Sequence, residues 1–204
     1  MSNFLDFIQF DIKDKPTQFG VFHLVFLFIM IALSALVIIF RKKLSDKFIK
    51  NTFIIAGILF IVLEIYKQIV FWWDAKFITY PWYIFPWQFC STPIYLTALC
   101  GFIKKGHLRD ALLAFMATFG LFAGLSVMLL PDGVLCWWAG INVQTMILHG
   151  GMVVLGILIY ATKQIDTSWK TFLKGLIVFG FFLVIALALN FAWPLLKSLL
   201  LFSH

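Results

Sequence analysis

Six apolar runs, each close to twenty residues long, leave this chain few ways to fold. They lie at approximately Phe19–Phe40, Thr52–Trp73, Phe85–Ile103, Ala111–Leu130, Val143–Thr162 and Phe172–Pro194. A helix rising about 1.5 Å per residue crosses a hydrocarbon core of about 30 Å in roughly twenty residues. Lipid offers the backbone no water, so each run must satisfy its own N–H and C=O groups as a helix. Charged residues make up 12% of the chain, against about a quarter in a soluble domain. The expected fold class is all-α: a polytopic membrane protein, a six-transmembrane-helix bundle with a polar cavity in its outer half. Two segments are expected. Residues 1–18 form an extracytoplasmic interfacial segment carrying Phe4, Leu5, Phe7, Ile8 and Phe10, and residues 19–204 form the six-helix domain. The first run has no basic start and no small-residue cleavage site, so it reads as a span and not as a cleaved signal.

The formal charge of +7 invites a nucleic-acid partner, but the basic residues fall between the spans, where they set topology. One side holds Arg41, Lys42, Lys43, Lys47, Lys50, Lys104, Lys105, Arg109, Lys163, Lys170 and Lys174. The other holds Lys13, Lys15, Lys76 and Lys197. The positive-inside rule puts the larger group in the cytoplasm and both termini outside, in a cell membrane. No nucleic-acid partner is implied.

Threaded through a bilayer in this orientation, the few buried polar residues fall at one depth. His23, Cys90 and His149 lie just past the outer ends of spans one, three and five, and Lys67, Gln68, Ser126 and Asn190 lie just before the outer ends of spans two, four and six. Gln88 belongs to the same layer, and Glu64 is about a turn deeper. Glu64, Lys67 and Gln68 are spaced i, i+3, i+4 and share one helix face. Intramembrane ionisable groups usually mark a site. The blander reading makes Glu64 and Lys67 an ion pair, with Lys67 also free to snorkel.

Span three contains Pro86-Trp87-Gln88-Phe89-Cys90-Ser91-Thr92-Pro93. Pro86 suits a first helical turn. Pro93 would then lie inside the helix, free the carbonyl of Phe89 and kink the span beside Cys90. A buried cysteine is often only a small hydrophobe. A cysteine level with a histidine is also the arrangement of covalent catalysis, with the imidazole taking the thiol proton. Cys90 and His149 are therefore the candidate catalytic pair, and Glu64 is a candidate to orient His149. Gln88, Ser91 or free backbone N–H groups are candidates to hold an oxyanion. Cys136, in an outer loop, has no assigned role. Gly150-Gly151 after His149 let another helix or a ligand approach closely, and the pair Gly120 and Gly124 read as close helix packing. Trp72, Trp73, Trp82, Trp87, Trp137, Trp138 and Trp193 read as an interfacial belt, with a lipid-entry cleft as the second reading. No metal or cofactor motif is present, so none is expected.

At these residues the chain resembles the YwaF-type bacterial multipass proteins, which are related to human transmembrane protein 164. The resemblance runs through Phe19 to Leu24 with His23, Phe85 to Leu96 with Pro86 and Cys90, Phe119 to Asp132, Met146 to Tyr160 with His149, and Asn190. Gln88 departs from the pattern, because many relatives carry an ionisable residue there. The resemblance implies a cysteine-dependent phospholipid acyltransferase with Cys90 as nucleophile and His149 as its partner. More distant relatives imply ester hydrolysis.

Two functions follow from these residues. One is an enzyme acting on a phospholipid or lyso-phospholipid from the outer leaflet, by transfer or hydrolysis. The other is a substrate-binding or transport protein holding a small molecule or lipid in the same polar layer, with His23, Glu64, Lys67, Gln68, Gln88, Ser91, Ser126 and Asn190 supporting it. The oligomeric state is left open by the sequence.

Overall fold

The computed structural model describes residues 9–74, 84–87 and 91–201, with side chains described through residue 192. Six helices follow one another: α1 (Val21–Phe40), α2 (Asp46–Asp74), α3 (Thr92–Phe102), α4 (His107–Leu129), α5 (Ala139–Ala161) and α6 (Trp169–Leu201). All but α3 are long and apolar enough to cross a membrane. The chain is an all-α polytopic membrane protein. Among the described residues the one β-type pairing is an isolated bridge between Asp11 and Trp138.

Two boundaries depart from the apolar runs. α2 starts six residues before its run, at Asp46. Ser45 Oγ accepts the Phe48 N–H at 3.1 Å, a helix cap that needs no hydrocarbon around it. The described helix of the third run starts only at Thr92, with Ser91 as its N-cap. The expected mid-helix kink at Pro93 is therefore not found. Pro93 sits in the first turn, where its missing N–H has no helical partner to lose, and its carbonyl accepts the Thr97 hydroxyl at 2.6 Å. Residues 84–87 before it are not α-helical. Non-helical backbone at membrane depth is tolerated where protein or a cavity covers it.

Among the five long apolar helices α5 is the most buried and α6 the most exposed along its span. Exposed apolar side chains such as Phe28, Ile58, Ile177 and Phe191 face the surroundings, where lipid is as apolar as they are. Helices are instead held together by close packing at small residues. A Cβ on Gly57 would lie 2.4 Å from Ala98 Cα, so α2 and α3 cross backbone to backbone. A Cβ on Gly124 would meet the His149 carbonyl oxygen at 2.7 Å, and one on Gly151 would meet the Phe60 ring at 2.6 Å. These two contacts seat α4 and α2 on either side of His149. Halfway along, α4 widens into a π turn over Met116–Gly120.

The ends of the bundle are tied differently. On the side of the chain's start, Ile12 N–H donates to Trp137 C=O at 3.0 Å, Ala139 N–H to Phe10 C=O at 3.1 Å and Gln18 N–H to the Asp132 carboxylate at 3.1 Å. Residues 10–18 thus strap the loop between α4 and α5. The expected interfacial segment Phe4–Ile8 lies outside the described residues. On the basic face, the buried Arg109 donates from Nε to the Cys100 carbonyl at 3.1 Å, a cation at the C-terminal end of α3 where the helix dipole favours it.

Candidate functional site

His149 is the centre of the described site. It is buried in α5, and its Nδ1 lies 2.8 Å from the Thr145 carbonyl one turn earlier. A carbonyl only accepts, so Nδ1 carries the proton and Nε2 carries the lone pair. Nε2 is buried and has no hydrogen-bond partner among the described residues. The imidazole is therefore held in the tautomer of a base, with its basic nitrogen unoccupied. The orienting group is the Thr145 carbonyl. The carboxylate of Glu64, the sequence candidate for that task, is paired elsewhere.

That pairing forms the second part of the site. Glu64 Oε1 receives Lys67 Nζ at 2.9 Å and Gln68 Nε2 at 2.7 Å. Gln68 Nε2 also donates to the Ile84 carbonyl at 2.8 Å, tying α2 to the segment before α3. Glu64 Oε2 is buried without a partner among the described residues. Phe60, one turn before Glu64, packs on Gly151, two residues after His149. Lys67 lies within electrostatic range of the imidazole. Glu64, Lys67, Gln68 and His149 thus occupy one level of the bundle.

The start of α3 supplies the third part. Ser91 is buried, and its Oγ has no partner among the described residues; the Nε1 of Trp87 is in the same state. The Trp87 ring stacks on Tyr95 and tilts against Phe182, with centroids 6.4 and 5.5 Å apart. A Cβ on Gly120 of α4 would lie 3.7 Å from Pro93 Cγ, so α4 passes both the start of α3 and, one turn on, His149. Cys90 and Gln88 lie outside the described residues; Cys90 directly precedes Ser91 in the chain.

The remaining polar candidates are engaged or placed elsewhere. His23 accepts the Phe19 N–H on Nδ1 at 2.9 Å and donates from Nε2 to the Met128 carbonyl at 2.8 Å. Both nitrogens are used, so it staples α1 to the end of α4. Ser126 donates to the Phe122 carbonyl of its own helix at 2.9 Å. Asn190 is exposed on α6. Cys100 is buried in α3. Cys136 donates to the Trp138 carbonyl at 3.7 Å, and burial pushes its thiol above the usual range. Asn142 clamps the Cys136 backbone with two 2.8 Å bonds. Among the described residues no group of three or more His, Cys, Asp or Glu side chains is placed to hold a metal.

Two clefts lie against the described residues just before and at the start of α3. One, about 580 Å³, lies between α4 and α6 and is lined by Trp87, Thr92, Thr118, Phe119, Phe179 and Leu183 among others. The other, about 540 Å³, lies between α2 and α3 and is lined by Ile61, Glu64, Ile65, Gln68, Pro86 and Tyr95 among others. Both are mainly apolar. Thr145 and Thr118 had not been picked out from the sequence. The i−4 spacing of Thr145 from His149 was a usable signal; the π turn that carries Thr118 left none.

Together these features describe a multipass membrane protein with a buried histidine whose Nε2 has no partner among the described residues, and with two mainly apolar clefts. The model of the TMEM164 family matches residues 18–194, and the chain belongs to that family. Comparison with curated proteins and with solved structures gives no match.

Proposed function

We propose that this protein is a membrane lipid acyltransferase or transacylase, with ester hydrolysis as the same chemistry run to water. Cys90 and His149 act on a phospholipid ester at the outer leaflet of a bacterial cell membrane. Both termini face outward, and residues 1–18 lie at that interface. The observation that carries the reading is the His149 tautomer: an imidazole locked by its own helix with Nε2 unprotonated, buried and without a partner among the described residues. A structural histidine uses both nitrogens, as His23 does.

In the reaction, Nε2 takes the Cys90 thiol proton and the thiolate attacks the ester carbonyl. The C–O bond of the ester breaks, the leaving alkoxide takes the proton back from His149, and a thioester remains on Cys90. The Ser91 hydroxyl and the backbone N–H groups that open α3 are the groups available to the oxyanion. A hydroxyl or water then attacks the thioester and frees the thiol. No step calls for a cofactor.

Intact-mass analysis of protein purified from native lipid tests the proposal. An acyl adduct is expected, lost in Cys90→Ala and discharged by hydroxylamine. Saturable lipid binding with no adduct and no acyl exchange would replace this reading with that of a binding or transport protein.

A further inference from the structure

We infer that Glu64, Gln68 and Tyr95 are positioning residues: they clamp the non-helical segment 84–87 and so set the place of Cys90 relative to His149. The inference rests on the acyl-transfer reading above and goes beyond it by giving the Glu64–Lys67 pair a task. Ionised side chains are costly within an apolar helix and are usually kept for a function. The pair lies in α2 at i and i+3, with Lys67 Nζ 2.9 Å from Glu64 Oε1. The same Oε1 accepts Gln68 Nε2 at 2.7 Å, and Gln68 Nε2 donates onward to the Ile84 carbonyl at 2.8 Å. An amide nitrogen carries two N–H donors. The Glu64 carboxylate takes one and thereby aims the other across to the segment before α3.

Successive carbonyls of that segment are all engaged. Ile84 C=O is held by Gln68 from α2. Phe85 C=O accepts the Trp87 N–H at 2.7 Å, a tight turn about Pro86. Pro86 C=O accepts the Tyr95 hydroxyl from α3 at 3.0 Å. The Tyr95 ring also stacks on Trp87, with planes at 26°. In the chain, Cys90 lies between this clamped segment and Ser91, the N-cap of α3. Its base is oriented independently, by the Thr145 carbonyl of α5. Nucleophile and base therefore belong to different elements, and the bonds that tie the segment to α2 and α3 govern how the two meet. The plain alternative is that Gln68 and Tyr95 only satisfy backbone carbonyls that lipid would leave bare. Their loss would then weaken the fold without acting through His149. A positioning role instead couples them to His149.

The test uses full-length protein in liposomes, in a Cys100→Ala/Cys136→Ala background where Cys90 is the remaining thiol. Two rates are read: alkylation of Cys90 by N-ethylmaleimide, and acyl-enzyme formation from phosphatidylcholine with a labelled chain. Tyr95→Phe keeps the ring and deletes the hydroxyl, and Gln68→Met keeps the length and deletes the donor. Either is expected to slow both rates roughly ten- to a hundredfold, the cost of a misplacement of about 1 Å, with the lipid KM near wild type. Added to His149→Gln, neither should slow them much further, because a misplaced thiol has already lost its base and residues acting as one unit are not additive. Glu64→Gln, whose amide oxygen still accepts Gln68, should keep most of the rate that Glu64→Leu loses. Equal losses in those two would strike Glu64 from the clamp. Unchanged rates in folded Tyr95→Phe, or full additivity of Tyr95→Phe with His149→Gln, would overturn the inference while the acyl-transfer reading stands. If wild-type protein forms no acyl-enzyme and His149→Gln leaves Cys90 alkylation unchanged, the acyl-transfer reading fails and the clamp fails with it.

Discussion

His149 and His23 are both fully enclosed histidines, yet their hydrogen bonds give them opposite expectations. His23 holds the Phe19 N–H and the Met128 carbonyl, and Phe19 sits in the left-handed region at φ 58°, a conformation that a side chain adopts only under constraint. His23→Ala is expected to destabilise by about 2 kcal/mol, since it leaves the buried Met128 carbonyl without its donor and removes the acceptor of the Phe19 N–H. Surviving molecules should keep their turnover. His149→Gln is expected to lower acyl transfer by roughly 10²–10⁴-fold, the usual worth of a general base, with a melting temperature near wild type. Parallel thermal melts and exchange assays check both. Equal melting losses without a difference in turnover would contradict the assignment. Among cysteines, Cys90→Ala should abolish transfer and Cys90→Ser should leave little, because a hydroxyl is a weaker nucleophile at its free pKa. Cys100→Ala and Cys136→Ala should retain it. The Cys136 thiol is raised by burial, so less of it is thiolate at neutral pH, and its alkylation should accelerate only at alkaline pH.

At the scale of elements, the informative features are starts and interruptions. α3 is described only from Thr92, so its N-terminal N–H groups come close in sequence to Cys90. α4 carries a π turn, a distortion often found at functional sites. The start of α6 is a capping device. Ser168 Oγ accepts the Thr171 N–H at 3.3 Å, and the Asp166 carboxylate accepts from the hydroxyls of Ser168 and Thr171. Those bonds, the one from Thr171 foremost, hold the Asp166 carboxyl below its ordinary value. A depressed carboxyl contributes stability above its unfolded pKa of about 3.9 and loses it as pH falls through the folded value. Replacing the helix cap in Ser168→Ala is expected to cost about 1 kcal/mol at neutral pH. The loss should shrink towards pH 3, where part of the network is already protonated. Melting curves at the two pH values measure this, and a gap that widens in acid would contradict it.

The whole molecule is arranged around α5, with α1, α2 and α4 packed on it and the two clefts opening beside α3. Eleven Lys and Arg residues on one side against four on the other predict that the basic loops are cytoplasmic. Single cysteines placed in a Cys-free variant report this. An impermeant maleimide applied to intact cells should reach position 76 and spare positions 42 and 105. The reverse pattern would invert the topology and move the site to the inner leaflet.

Much of this architecture was legible in the chain because lipid imposes one rule on every residue it touches. Apolar runs of the right length have to be helices, so the all-α polytopic class and most helix positions follow from hydropathy alone. The spacing of Glu64, Lys67 and Gln68 likewise predicts their contact, since a single helix dictates it. The limits appear where the answer depends on a second element. The length of a run could not tell that the described α3 begins only at Thr92, because residues 84–87 are as apolar as a helix yet are held by Gln68 from α2 and Tyr95 from α3. Nor could depth in the membrane separate His23 from His149. The sequence puts both at one level, and only their neighbours in space show that, among the described residues, one imidazole has two partners and the other has one. Hydropathy is a property of each residue alone; an unoccupied nitrogen and the cleft beside it are properties of how the helices meet.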